Sequence, residues 1–416
     1  MKGNSRSDMR TSARHEPSAQ SNRADEPTVL MAAIAAATIG ALMYNLLPIF
    51  LGSIEVSKAL ASSQTGLIGT AFFVGFNIAG ISAFAWIRRF HWRTVSLLSM
   101  PCLFAALFVC VQVTTFPALL VGTAACGIAF GINYTIGSVI IGDTSRPERW
   151  YGMKVGLESV AGAIVLVTLP FTPAAQQGFA GTASAMALII ALLLPLLFFL
   201  PNVWNKDTEA DINPDNVTQK HFDLRPINRL AIGSAVLSLL ALFASVSAIW
   251  AFAERMGELT GFTKANVDML LAVTLISGIA GSIVVAILAS RLNTVIAFVA
   301  TIFLIIVALV CLSVKGSFLF YAIGNCLYMF AWAAGTPLAM AEISRLDLDG
   351  RYVSLIAPAI GIGGMVGPGI AGWLLEIADI TAVLMYVATT ILASGVLMLL
   401  AAWFGRLPKS ERKVEL

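Results

Sequence analysis

Charge is scarce in this sequence: 12% of residues are charged against 58% hydrophobic. Soluble domains carry about 25% charge, so most of this chain's surface cannot face water, and the bilayer is its solvent. The excess of base over acid is slight as well. A formal net charge of +3, scattered along the chain, leaves no basic footprint for a nucleic acid. Only three histidines occur, His15, His91 and His221, all in the tail or in polar connections, which removes intramembrane imidazole chemistry. The five cysteines (Cys102, Cys110, Cys126, Cys311, Cys326) sit in apolar runs without CxxC spacing and read as small packing residues. No Walker A pattern is present, so the chain holds no nucleotide-hydrolysing engine of its own. The apolar runs contain no His, Asp and Cys cluster able to act as nucleophile and base, which disfavours an intramembrane enzyme. No cofactor and no metal are expected.

What the sequence has in abundance is long apolar runs. A helix needs about twenty apolar residues to cross a hydrocarbon core of roughly 30 Å. That ruler fits twelve times. The expected spans are Thr28–Ile54, Ser63–Ile87, Thr94–Val113, Phe116–Gly142, Tyr151–Phe171 and Gly181–Leu200, then Arg229–Ala253, Ala265–Ser290, Thr294–Ser313, Ser317–Ala341, Val353–Glu376 and Ile380–Phe404. Residues 1–27 read as a disordered tail, and the first run is too long for a signal-peptide core, so it is expected to be a retained span. The one long polar insert, residues 202–228, divides the chain into bundles at 28–201 and 229–405, with a second tail at 406–416.

Basic residues set an orientation. With the N-terminus cytoplasmic, Arg88, Arg89, Arg93, Arg146, Arg149, Lys154, Lys206, Lys220, Arg225, Arg291, Arg345, Arg351 and the C-terminal tail's four fall inside. Only Lys58, Arg255, Lys264 and Lys315 fall outside, so both termini are expected in the cytoplasm.

Shifting the second half by about 200 residues brings Ile78-Ala79-Gly80 onto Ile279-Ala280-Gly281 and Thr94-Val95 onto Thr294-Val295. The same shift sets Asp143-Thr144-Ser145-Arg146 against Glu342-Ile343-Ser344-Arg345. Weak internal symmetry of this kind marks many transporter folds. Two six-span halves, a long central loop and basic connections after spans two and eight together resemble the major facilitator superfamily over residues 28–405. The superfamily's signature after span two, roughly G-x-x-x-D-R-x-G-R-R, is met here by Phe84-Ala85-Trp86-Ile87-Arg88-Arg89-Phe90-His91-Trp92-Arg93. Arg89 and Arg93 fit its basic positions, while Phe84, Arg88 and His91 depart from it. The resemblance implies an all-α membrane protein of twelve transmembrane helices in two pseudo-symmetric six-helix bundles, by default a monomer. It also implies a charged latch beside this loop, with Asp143 or Glu148 as the acid; the arginines serve equally well to hold topology. Span eleven carries Gly363-Gly364-Met365-Val366-Gly367-Pro368-Gly369, similar to the Gly-Pro motif that exporters of the superfamily carry in span five. Gly lets helix backbones approach and Pro permits bending, so Gly367 and Pro368 suit either a gate or static packing. Gly127, Gly131, Gly278 and Gly281 are further close-packing positions.

The resemblance further implies that spans one, four, seven and ten line a central cavity. On the helical face rule, span one offers Tyr44, Asn45 and Pro48, and span four offers Phe130, Asn133, Tyr134 and Gly137. Span seven offers Ser247 and Trp250, and span ten offers Asn325, Tyr328, Trp332 and Thr336. Amides paired with aromatics suit a mostly apolar pocket with a few orienting hydrogen bonds, and they suit interhelical contacts equally. Only Glu158 reads as a charge well inside a span, at a cost of roughly 2.5–3.5 kcal/mol, which makes it the candidate proton or cation carrier. A carboxyl held by a static bond is the competing reading. Glu254 and Arg255 mark the expected outer mouth. With no Lys or Arg expected at mid-depth, a neutral, cationic or amphipathic solute is favoured.

The function implied is a secondary transporter of a small organic solute in a plasma membrane of bacterial inner-membrane type, coupled to a proton or another ion if coupled at all. The alternative is a sensor or lipid-handling protein on the same fold.

Overall fold

The computed structural model describes residues 23–60, 62–202, 226–259, 261–288, 291, 293–347 and 350–406. The expected tails and central loop lie largely outside them. Among the described residues there are helices and connecting turns, and no strand. In chain order the helices are α1 (Pro27–Asn45), α2 (Leu47–Lys58), α3 (Ser62–Trp86), α4 (Trp92–Gln112), α5 (Phe116–Gly142), α6 (Pro147–Thr168) and α7 (Phe179–Leu193). Then come α8 (Pro226–Leu259), α9 (Lys264–Leu288), α10 (Thr294–Ser313), α11 (Phe318–Leu346), α12 (Ile356–Ile377) and α13 (Ile380–Arg406). Ten helices among the described residues are long and apolar enough to cross a membrane. Their outward faces carry Phe108, Val121, Leu192, Ile296 and Phe303, each more than 60% exposed. Such a surface is stable against hydrocarbon and not against water.

Three departures from the expected spans matter for the site. The first span is two helices, because Pro48 follows within two residues of the Leu46 break and can supply no amide to the Tyr44 carbonyl. Helix α6 begins at Pro147, four residues before the expected Tyr151, since proline suits a first turn whose amides lack partners anyway. Helix α8 runs to Leu259, past the expected Ala253, because no proline and no run of turn formers interrupts residues 254–259.

Small residues set the closest crossings. Gly75 of α3 lies against the Ala124 carbonyl of α5, and Gly127 of α5 against the Phe72 carbonyl of α3. Gly281 of α9 meets the Phe330 carbonyl of α11, while Gly363 and Gly367 of α12 abut α8 at Leu240 and Ala244. Helices α8 and α13 are pinned reciprocally: Ser238 Oγ donates to the Ser394 carbonyl at 2.7 Å and Ser394 Oγ donates to the Ser238 carbonyl at 2.8 Å. Gly127→Ala is expected to lower stability by about 1–3 kcal/mol through overpacking. Gly233→Ala, with open space around that position, should not lower it. Thermal unfolding of the purified variants checks the pair.

Helices α1 to α7 pack largely on one another, as do α8 to α13. The two groups meet where α6 packs on α9 and α11 and where α3 packs on α12. The site lies along that seam.

Candidate functional site

Helix α6 carries two opposite charges into the protein interior. Lys154 is seven residues past Pro147, roughly 10 Å along the axis, and Glu158 is eleven past it, roughly 16 Å. Lys154 is fully buried and Glu158 nearly so. One helical turn apart, they meet as an ion pair, with Lys154 Nζ 2.8 Å from Glu158 Oε1. The ammonium also lies 3.8 Å from the centroid of the Tyr134 ring, an attraction between a cation and the ring's negative face. Neither Nζ nor Oε1 has a further hydrogen-bond partner among the described residues. Lys154, expected at the cytoplasmic face, is instead buried in the protein interior beside Glu158. Starting α6 at Tyr151 leaves it within the first turn, and the earlier start at Pro147 places it about two turns in.

Glu158 opens onto a central cavity of about 30 Å³ between the two groups of helices. That volume holds a water or two and no organic solute, so helices must separate before a solute enters. The walls are aromatic: Tyr44, Phe73, Phe76, Tyr134, Phe243 and Trp332 contribute rings. Tyr44 stands 6.1 Å from both Phe73 and Phe243, spanning the seam, and Trp332 stands 5.8 Å from Phe243. Polar atoms are few. Asn45 Nδ2 donates to the Glu158 carbonyl at 3.0 Å, tying the break between α1 and α2 to α6. Trp332 Nε1 and Thr336 Oγ1 are buried with no partner among the described residues.

Of the residues singled out as solute contacts, Tyr44, Asn45, Tyr134, Trp332 and Thr336 line the cavity together with Glu158. The other described ones do not. Asn133 is fully buried between α4 and α5, where Oδ1 accepts from Ser96 Oγ at 2.6 Å and Nδ2 donates to Ser99 Oγ at 2.8 Å and to the Ala129 carbonyl at 2.8 Å. Its polar groups are used up in holding two helices together. Asn325 Nδ2 donates along its own helix to the Tyr321 carbonyl at 2.9 Å, and Tyr328 is buried outside the lining. Trp250 is half-buried on α8, also outside it. The side chains of Pro48, Glu254 and Arg255 lie outside the described ones. The sequence reading passed over Phe73, Phe76 and Phe243, whose signal was only their place on inward helical faces. Asn133→Ala is expected to cost about 1–3 kcal/mol, because Ser96 and Ser99 lose their partner, with solute affinity unchanged. Thermal unfolding beside a binding titration separates the two effects.

The family model of the major facilitator superfamily matches residues 29–347. The chain belongs to this superfamily. Solved structures of its transporters share the fold. FucP in the outward conformation is 16% identical with a TM-score of 0.68, covering 92% of this chain and 99% of its own. The human organic anion transporter MFSD10 (TETRAN) is 15% identical at 0.71, covering 89% and 99%. A single-site variant of the E. coli fucose:proton symporter FucP is 17% identical at 0.67, covering 91% and 98%. No curated protein matches the sequence. A transporter and not an enzyme is what membership indicates.

The stretch set against the superfamily signature holds an ion pair, with Arg88 in place of the bases that fit the signature. Asp143, at the end of α5, is the acid, and its partner is Arg88. The guanidinium is bidentate, Nη1 to Oδ2 at 2.7 Å and Nη2 to Oδ1 at 2.9 Å, and it stacks over Trp92 at 5.4 Å. Arg88 Nε donates further to the Gly350 carbonyl at 2.7 Å, which crosses the seam. Asp347 shapes that receiving turn, accepting from the amides of Gly350 and Val353 at 2.8 Å each. Gly350 has φ of 66°, which favours glycine, and a methyl there would push on the Arg88 guanidinium. Arg89 is exposed, and Arg93 donates to the Leu200 carbonyl at 2.7 Å within its own group of helices. Glu148 instead accepts from Thr294 Oγ1 across the seam at 3.4 Å. Tyr151 OH bridges the Ser138 carbonyl and Ser344 Oγ, at 2.7 and 3.0 Å. These cross-seam bonds all lie at the end of the bundle that bears Arg23 and Arg406. Gly367 is a packing residue against α8, and Pro368 sits within an unbroken α12.

Proposed function

We propose that the chain is a secondary active transporter that moves a small organic solute by alternating access, coupled to protons through the Lys154–Glu158 pair. The observation that carries this reading is the buried ion pair whose carboxylate, Glu158, lines the central cavity at the seam. A superfamily member needs no such pair for stability, since well-packed apolar residues would serve as well or better. A pair held by only two side chains and one ring can be broken and remade as a solute or proton arrives. The reading takes twelve transmembrane helices in two pseudo-symmetric six-helix bundles, residues 28–201 and 229–405, joined by a loop at 202–228. Both termini are cytoplasmic, on the asymmetry of the basic residues, in a plasma membrane of bacterial inner-membrane type. The working unit is a monomer.

The test is a flux screen in proteoliposomes with radiolabelled aromatic, sugar-like and amine solutes, with and without an imposed pH gradient. Native protein should give saturable flux that responds to the gradient, and Glu158→Gln should lose that response. Saturable flux indifferent to the gradient in both proteins would leave a uniporter and make the pair structural. Solute binding with no flux would favour the sensor reading.

A further inference from the structure

The central cavity presents one charged group, and it is negative. Glu158 is among the lining residues and Lys154 is not. The lysine ammonium is enclosed, held 2.8 Å from the carboxylate and 3.8 Å over the Tyr134 ring. A carboxylate beside an aromatic face is a site that accepts a primary ammonium, and the chain's own lysine occupies it. The remainder of the cavity fits an amphipathic body: rings from α1, α3, α5, α8 and α11, with Trp332 Nε1 and Thr336 Oγ1 buried and unpartnered on α11.

Resting on the transporter reading, we infer that the solute is an organic cation, a protonated amine whose ammonium replaces Lys154 on Glu158. Its apolar or aromatic body lies among the rings, and an oxygen elsewhere on it accepts from Trp332 Nε1 or Thr336 Oγ1. One buried carboxylate cannot neutralise two ammonium groups, and an unbalanced buried charge is strongly unfavourable. Lys154 therefore gives its proton to water as the amine docks and stays as a neutral amine. When the solute leaves, Lys154 takes a proton back and restores the pair. One cation is exchanged for one proton, and the interior keeps its net charge. The surroundings supply no other charge for this exchange among the described residues. Tyr134 from α5 faces the lysine, Asn45 from α1 bonds the Glu158 carbonyl, and Tyr44 from α1 and Trp332 and Thr336 from α11 line the cavity onto which Glu158 opens. Helix α7 contains no ionisable side chain, and α9 meets α6 here through Ser282 against Gly156.

The experiment uses full-length protein and a matched chemical series: alkyl- and arylalkylamines, tyramine among them, each with its alcohol and carboxylate counterpart. Uptake into proteoliposomes is read beside proton release in detergent, followed with an indicator dye. At least one amine should be taken up saturably and release close to one proton on binding, with its counterparts weaker by about tenfold or more. Lys154→Met should still bind that amine, without releasing a proton, and Glu158→Gln should lose the binding. Transport of a carboxylate or alcohol as strong as that of its amine would overturn the cation assignment and leave the transporter reading intact. No uptake of any amine by native protein would overturn the cation assignment, and the transporter reading would fall with it only if every solute of the flux screen also failed to move.

Discussion

Lys154→Met alone is expected to destabilise the protein by about 3–5 kcal/mol, because it strands the Glu158 carboxylate in an apolar interior. Adding Glu158→Gln in the same chain should return most of that loss, since the double variant buries no charge. The expectation rests on burial: Lys154 has no exposed surface and Glu158 only 7%. A surface pair of the same spacing would contribute only tenths of a kcal/mol and would show no such rescue. Thermal unfolding of the four proteins in one detergent gives the cycle directly, and equal melting temperatures for single and double variants would mean that water reaches the pair freely.

Arg88→Ala is the second large effect. It removes the bidentate pairing with Asp143, itself 4% exposed, and a bond from that guanidinium to Gly350 across the seam. Leaving the carboxylate unpaired should again cost about 3–5 kcal/mol, and Arg88→Ala with Asp143→Ala should cost less than Arg88→Ala alone. Beyond stability, the seam should loosen at this end. A cysteine placed at Ser344, which is buried and bonded to Tyr151, should react with a maleimide about tenfold faster or more in the Arg88→Ala background, the factor that 1.4 kcal/mol of lost closure gives. The exposed Arg89 offers the control: Arg89→Ala should change neither melting temperature nor labelling rate.

How far the sequence alone reached depends on which physical signal was in play. Apolar length is a strong signal, and α5 and α10 begin and end at the expected residues, Phe116–Gly142 and Thr294–Ser313. Helix starts in polar sequence are weaker signals. Taking Tyr151 in place of Pro147 hid Lys154, although Lys154 and Glu158 stand four apart, the spacing at which helix side chains meet. Facing is weaker still. Tyr134 enters the cavity while its neighbour Asn133, about 100° round the helix, faces α4. Periodicity tells which residues share a face and not what that face meets. An arginine partner for Asp143 was legible as chemistry, but its register was not, because Arg88 and Arg89 differ only in which of two successive directions turns inward.

The central claim is that the buried pair exchanges a proton each time a solute passes. The direct measurement is the pH inside proteoliposomes after a pulse of transported solute, comparing native protein with the Lys154→Met, Glu158→Gln double variant. The native protein should give a solute-dependent pH change that saturates with solute, and the double variant, folded to a comparable melting temperature, should give none. A pH change of equal size from the double variant would contradict the claim and assign coupling to another part of the chain.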